Sequence, residues 1–78
     1  MDKNKKDIQM VLLSIPDMSC THCVNSISKT LRLIKGIEKF KVSLKRKTIG
    51  IVYDNNAILL EDIQSQLKEK GYISQETI

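Results

Sequence analysis

The chain has 78 residues, 41% of them apolar, so it forms one domain with an ordinary core and too little volume to enclose a deep catalytic cavity. Its net charge of +4 is unevenly held: residues 1–47 carry 11 Lys/Arg against 4 Asp/Glu, and residues 48–78 carry 2 against 5, a bias toward an acidic partner surface, a membrane surface or nucleic acid. One Phe, two Tyr and no Trp give too few stacking platforms for a single-strand binder, which sets nucleic acid aside as a partner.

Residues 1–7 are polar and charged and read as a flexible extension; a single domain is expected over 8–78. The apolar run MVLLSI, stopped by Pro16, predicts a first strand with Val11, Leu13 and Ile15 on one face. A loop containing Cys20 follows. Val24, Ile27, Leu31 and Ile34 then recur at helical spacing, with Thr21 as the expected N-cap, Cys23 in the first turn and Gly36 as the stop.

Ile37, Phe40, Val42 and Leu44 lead a second strand into a Lys45-Arg46-Lys47 turn, and Thr48 to Tyr53 alternates again, predicting a hairpin. After the Asp54-Asn55-Asn56 loop, Leu60, Ile63 and Leu67 stripe a second helix that ends at Gly71, and Tyr72 to Thr77 is the expected last strand. The order βαββαβ predicts an α+β fold: a ferredoxin-like sandwich with two helices on one face of a four-stranded antiparallel sheet and the other face solvated.

No signal peptide is visible, since Asp2 and Asp7 interrupt the basic start and the short apolar run leads into Pro-Asp-Met; nothing approaches transmembrane length. The chain is therefore read as cytoplasmic, where a CxxC is a metal site or a redox centre rather than a structural disulfide. The segment PDMSCTHC, residues 16–23, holds both cysteines and the single histidine. A helix N-terminus favours thiolate over thiol, more so at Cys23 than at Cys20, and thiolates serve either as nucleophiles or as soft metal ligands.

A thioredoxin-like dithiol normally comes in a longer chain with a mostly parallel sheet, so a thiol oxidoreductase is kept as a third, less favoured reading that a dithiol redox assay would detect. A closed zinc site requires four ligands where Cys20 and Cys23 supply two. His22 would project away from a site closed by its neighbours. Two thiolates suit a soft, low-coordinate ion, with Cu(I) the main biological candidate, and an accessible two-coordinate ion can be captured by an incoming third thiolate. That is delivery chemistry, with no catalytic turnover.

Met18-Ser19-Cys20-Thr21-His22-Cys23 resembles the MxCxxC motif of heavy-metal-associated (HMA) domains, particularly of small bacterial copper chaperones. The resemblance runs through Gly36-Ile37, Val42-Ser43-Leu44, Tyr53-Asp54 and Gly71-Tyr72, almost to the chain's end. It implies Cu(I) held by Cys20 and Cys23 and passed to the metal-binding domain of a copper-transporting P-type ATPase. The second implied reading is that the chain is itself such an ATPase domain; the starting Met1, the end after the last strand and the basic first half favour the free chaperone. Mercury-scavenging relatives share the motif but normally carry an export signal.

The family usually has Gly where this chain has Asp17, which adds charge beside the metal and keeps zinc in view. Zinc- and cadmium-selective relatives often carry an acidic residue directly before the first Cys; here it is Ser19, which favours copper. Met18 is read as an apolar plug under the loop in preference to a thioether ligand. His22 could ligate, tune the thiolates or merely face water; a role in a copper-bridged homodimer or a transfer complex is preferred to ligation within one monomer. Tyr72 is either an ordinary core-edge residue or, as the resemblance implies for bacterial chaperones, a neighbour of the metal. Lys29 and Arg32, on the polar face of the first helix, are either solvated surface or the residues that steer an acidic partner.

Overall fold

The computed structural model describes residues 7–77, which form β1 (Ile8–Ser14), α1 (Thr21–Leu33), β2 (Ile37–Ser43), β3 (Thr48–Asp54), α2 (Leu60–Glu69) and β4 (Gln75–Thr77). The strands make one antiparallel sheet in the order β2-β3-β1-β4, with β1 and β3 at its centre. This is the ferredoxin-like sandwich expected from the element order.

Alternation along β3 turns Ile49, Ile51 and Tyr53 inward. The register sets Leu13 and Val42 beside Ile49, and Val11 and Phe40 beside Ile51, so one sheet face is continuously apolar. The helices close it with Ile27 and Leu31 from α1 and Ile63 and Leu67 from α2, and Ile15 and Met18 complete the same cluster. Nine of these side chains are fully buried, each contributing about 1.5–3 kcal/mol relative to exposure. Thr30 is the buried polar residue in the helical layer; its hydroxyl donates to the Ser26 carbonyl at 3.0 Å and so is satisfied.

Local chemistry sets the element ends. Past the C-cap of α1, Gly36 has φ +103°, open to glycine without strain, and its carbonyl accepts from the Asp54 N–H at 2.8 Å. At the start of α2, Asp62 accepts the Leu59 N–H at 3.4 Å, and Glu61 and Asp62 place negative charge in the first turn, which favours the helix dipole.

Several boundaries differ from the sequence reading. The first strand begins at Ile8 rather than Met10, because Ile8 pairs with Asp54. The expected extension lies outside the described residues except for Asp7, whose N–H donates to Asp54 Oδ1 at 3.2 Å and whose carbonyl accepts from Asn55 N at 2.8 Å. The hairpin turn takes in Leu44 as well as Lys45–Lys47, with Lys47 at φ 56°. The last strand is limited to Gln75–Thr77, since the Tyr72 N–H is committed to the Leu67 carbonyl at 2.9 Å and continues the exit from α2. The uncovered face is not simply polar: Ile8, Met10 and Leu12 alternate outward from β1 and are 46%, 78% and 45% exposed.

Candidate metal centre

β1 delivers the chain into the loop, and Ile15 is pinned there by its N–H to the Lys47 carbonyl at 2.8 Å. Pro16 and Asp17 turn outward while Met18, fully buried, anchors the loop on the core; its N–H donates to the Ile15 carbonyl at 3.0 Å. Met18 therefore lies beneath the loop, away from solvent.

The helix begins one residue earlier than expected from Thr21. Cys20 is the N-cap, in extended conformation, and no side chain caps the helix. Its carbonyl accepts from the N–H groups of Cys23 at 3.0 Å and Val24 at 3.2 Å. Cys20 is thus held by its backbone, leaving the exposed thiol free to turn. Cys23 stands in the first turn, half-buried. The two sulfurs are 3.7 Å apart, with the Cys20 thiol donating to Cys23.

A hydrogen bond from the Ser19 backbone, then the Tyr72 side chain and then the Cys20 thiol lower the Cys23 pKa from 9.0 to about 7, against a smaller opposing effect of burial. The same contact raises the Tyr72 pKa, with Ser26 pulling the other way and the cysteine charges adding to the rise. Near neutral pH, Cys23 is accordingly a thiolate for a substantial fraction of the time, which is the form that binds soft metals. No other sequence feature besides the Gly71-Tyr72 pair pointed to this helix-to-loop contact; the Ser26 link had no signal in the sequence.

The remaining candidates stand outside this pair. His22 is exposed and lines a shallow cleft along α1 with Asn25, Ser26, Ser28, Lys29 and Arg32. Lys29 and Arg32 are six and nine residues past Cys23, so they lie about 9 and 14 Å along the helix axis from it. Among the described residues, no group of three or more His, Cys, Asp or Glu side chains is arranged to hold a metal ion. The arrangement offers two convergent sulfurs, an adjacent hydroxyl and open access from solvent.

A model of the heavy-metal-associated domain matches residues 12–72. The copper chaperone CopZ of Enterococcus hirae is 34% identical over 59 residues, which cover 76% of this chain and 86% of that protein. A copper-transporting ATPase of Schizosaccharomyces pombe is 35% identical over 60 residues, covering 77% of this chain and 7% of that protein. The crystal structure of oxidized MerP from Ralstonia metallidurans superposes with a TM-score of 0.88 over 92% of this chain and 100% of that one; at 22% identity, it speaks for the fold alone.

Proposed function

The chain belongs to the heavy-metal-associated domain family, and from that premise we propose that it is a cytoplasmic copper(I) chaperone that holds one ion between Cys20 and Cys23 and hands it to the metal-binding domain of a copper-transporting P-type ATPase. The observation that carries the reading is the pair of sulfurs 3.7 Å apart on an exposed helix N-terminus, with no third ligand converging on them among the described residues. A linear dithiolate places its two sulfurs on opposite sides of the ion, farther apart than the 3.7 Å of this pair, so loading requires the sulfurs to separate, a shift within reach of one χ rotation of the exposed Cys20 side chain.

Transfer follows from the coordination. A two-coordinate ion bound at the surface accepts a third thiolate from an incoming site before either original bond is lost, so no free ion is released. Cys20, more exposed, is the thiolate that leaves first; Cys23, held by Ser19 and Tyr72, leaves last. The Tyr72 side-chain hydrogen bond lowers the Cys23 pKa and so favours the thiolate that an incoming ion needs. Lys29 and Arg32, about two and three turns along α1 from the loop, supply a basic flank for an acidic partner surface.

A second reading, that this is a metal-binding domain of a copper-transporting ATPase, draws on the Schizosaccharomyces pombe relative, which at 35% identity is as similar to this chain as the Enterococcus hirae chaperone at 34%. The two share the site and the chemistry and differ in covalent context. Titration with copper(I) against a competing chelator tests the site. One ion per chain is expected, with tight binding lost in Cys20→Ser and in Cys23→Ser while the circular dichroism of the apo-protein is unchanged. Wild-type affinity in both variants would refute the assignment.

A further inference from the structure

The uncovered face of the sheet has a composition that metal binding does not use. Met10 stands opposite Val52 and Leu12 opposite Gly50, and the outward residues next to these on β2 are Lys39 and Lys41. Ile8, Met10 and Leu12 form an exposed apolar strip along a central strand, and Arg46 reaches the same face beside Leu12 and Lys41. At the far end, Asp54 is the outward carboxylate, and its Oδ1 already accepts the N–H groups of Asp7 and Asn56. In sequence, Lys3, Lys5 and Lys6 directly precede Asp7.

A dry strip with cations on its margins fits something both apolar and anionic. Among the described residues this face has no deep groove: the hollows over Gly50 are shallow and open, and a Cβ added at Gly50 would meet nothing within 4 Å. Lys39, Lys41 and Arg46 line one flank of the strip instead of converging on a point, and such a row of charge beside an apolar surface suits an extended negative surface better than a few fixed carboxylates. Lysines beside an apolar surface can lay their methylene stems along it and keep their ammonium groups in the headgroup layer. A second copy of the chain would bring like charges together.

We propose that the Ile8–Met10–Leu12 strip, with Lys39, Lys41 and Arg46, is a peripheral docking face for the anionic leaflet of a membrane. No described helix is long and apolar enough to cross a bilayer, so the contact is adsorption through the sheet. The helices occupy the opposite face, and Cys23 stands on α1, so adsorption leaves the metal loop uncovered. The inference rests on the sheet face and is independent of which metal the loop carries.

Flotation of the full apo-chain with phosphatidylcholine vesicles, with and without phosphatidylglycerol, tests it. Binding is expected only to the anionic vesicles and should weaken as salt is raised. Lys39→Glu/Lys41→Glu should weaken it at least ~25-fold, since each lysine near an anionic surface is worth about fivefold in affinity. Met10→Ser, at a side chain exposed enough to leave the fold intact, should weaken it ~10-fold through lost apolar contact. Lys29→Glu/Arg32→Glu carries the same change in net charge on the helical layer and should retain most of the binding. Failure of the wild-type chain to float with anionic vesicles would overturn the proposal and leave an acidic protein as the occupant of the face. Equal losses in the two charge-reversed pairs, or wild-type binding by Met10→Ser, would also overturn it, reducing the interaction to net charge.

Discussion

Gly36→Ala should be the most damaging single-methyl addition in this fold, and the structure separates its two causes. The residue has φ +103°, where an L side chain is strained by about 1–3 kcal/mol. In addition, the new Cβ would lie 2.7 Å from Ile58 Cγ2, 3.1 Å from Ile58 Cβ and 3.2 Å from Ala57 Cβ. Relieving that overlap requires moving half-buried Ile58, which packs on the core, at a further cost of about 1–3 kcal/mol. The sum, about 2–6 kcal/mol, is a large share of the roughly 4–12 kcal/mol that 78 residues provide.

Gly71→Ala isolates the first cause. Its φ is +95°, but nothing stands within 4 Å of the added Cβ, so the cost should stay at about 1–3 kcal/mol. Gly50→Ala lacks both causes and should be neutral or stabilise by about 0.4–1 kcal/mol, through the reduced freedom of the unfolded chain. Urea unfolding of the three apo-variants, compared with wild type at equal m-values, measures the series. A Gly36→Ala cost within about 0.5 kcal/mol of Gly71→Ala would refute the Ile58 overlap as a cause. A Gly50→Ala loss above about 1 kcal/mol would refute the reading of that position as open space.

Met18→Leu should cost under about 1.5 kcal/mol and Met18→Ala about 2–5 kcal/mol, both measured by urea unfolding, because the side chain is a fully buried plug. A third sulfur in X-ray absorption of the copper-loaded protein, lost in the Leu variant, would show instead that Met18 reaches the metal. Alkylation of Cys23 should titrate with a midpoint of about 7, and Tyr72→Phe should move that midpoint upward by removing a hydrogen bond to the thiolate. With Cys23 depressed from 9.0, the unfolded chain holds the extra proton between about pH 7 and 9; the linked stability is complete above about 9 and is lost as pH falls through about 7. Tyr72 acts in the opposite sense: its raised pKa contributes stability below the ordinary value of 10.0 that is lost as the pH climbs through the folded value, so apo-protein unfolding should show both limbs. Lys29→Glu/Arg32→Glu should slow copper transfer to an acidic acceptor domain without changing the chain's own copper affinity, and transfer by the wild type should slow as salt rises; indifference to both would make the cleft ordinary surface.

The element order was legible because both periodicities are clean. Val24, Ile27, Leu31 and Ile34 repeat as a helix, and Ile49, Ile51 and Tyr53 alternate as a strand. The sulfur pair was legible from spacing, since a two-residue gap across a helix start must bring the side chains together. The start of α1 was misplaced by one residue because the preference of Thr for N-caps operates through its side chain, whereas Cys20 caps through its carbonyl alone. The sequence reading starts the last strand at Tyr72, yet its N–H closes the end of α2; its nearness to the Cys loop was legible only through the resemblance, because its side-chain hydrogen bond to Cys23 depends on the tertiary path. The alternation that turns Val11, Leu13 and Ile15 inward leaves Met10 and Leu12 outward, and with Ile8 added by its pairing to Asp54 they make an apolar strip on a face that the sequence reading expects to be solvated.

The capping role of Cys20 bears on how quickly a bound ion can change hands. Its carbonyl stays bonded to Cys23 and Val24 whatever the thiol does, so turning the sulfur is a rotamer hop with no helix turn to melt. Exposed rotamers exchange in picoseconds to nanoseconds, whereas local unfolding takes microseconds or longer. In the proposed chaperone, release from Cys20 would therefore require breaking a metal–sulfur bond but no melting of the helix, so a tightly held ion could pass within a single short encounter.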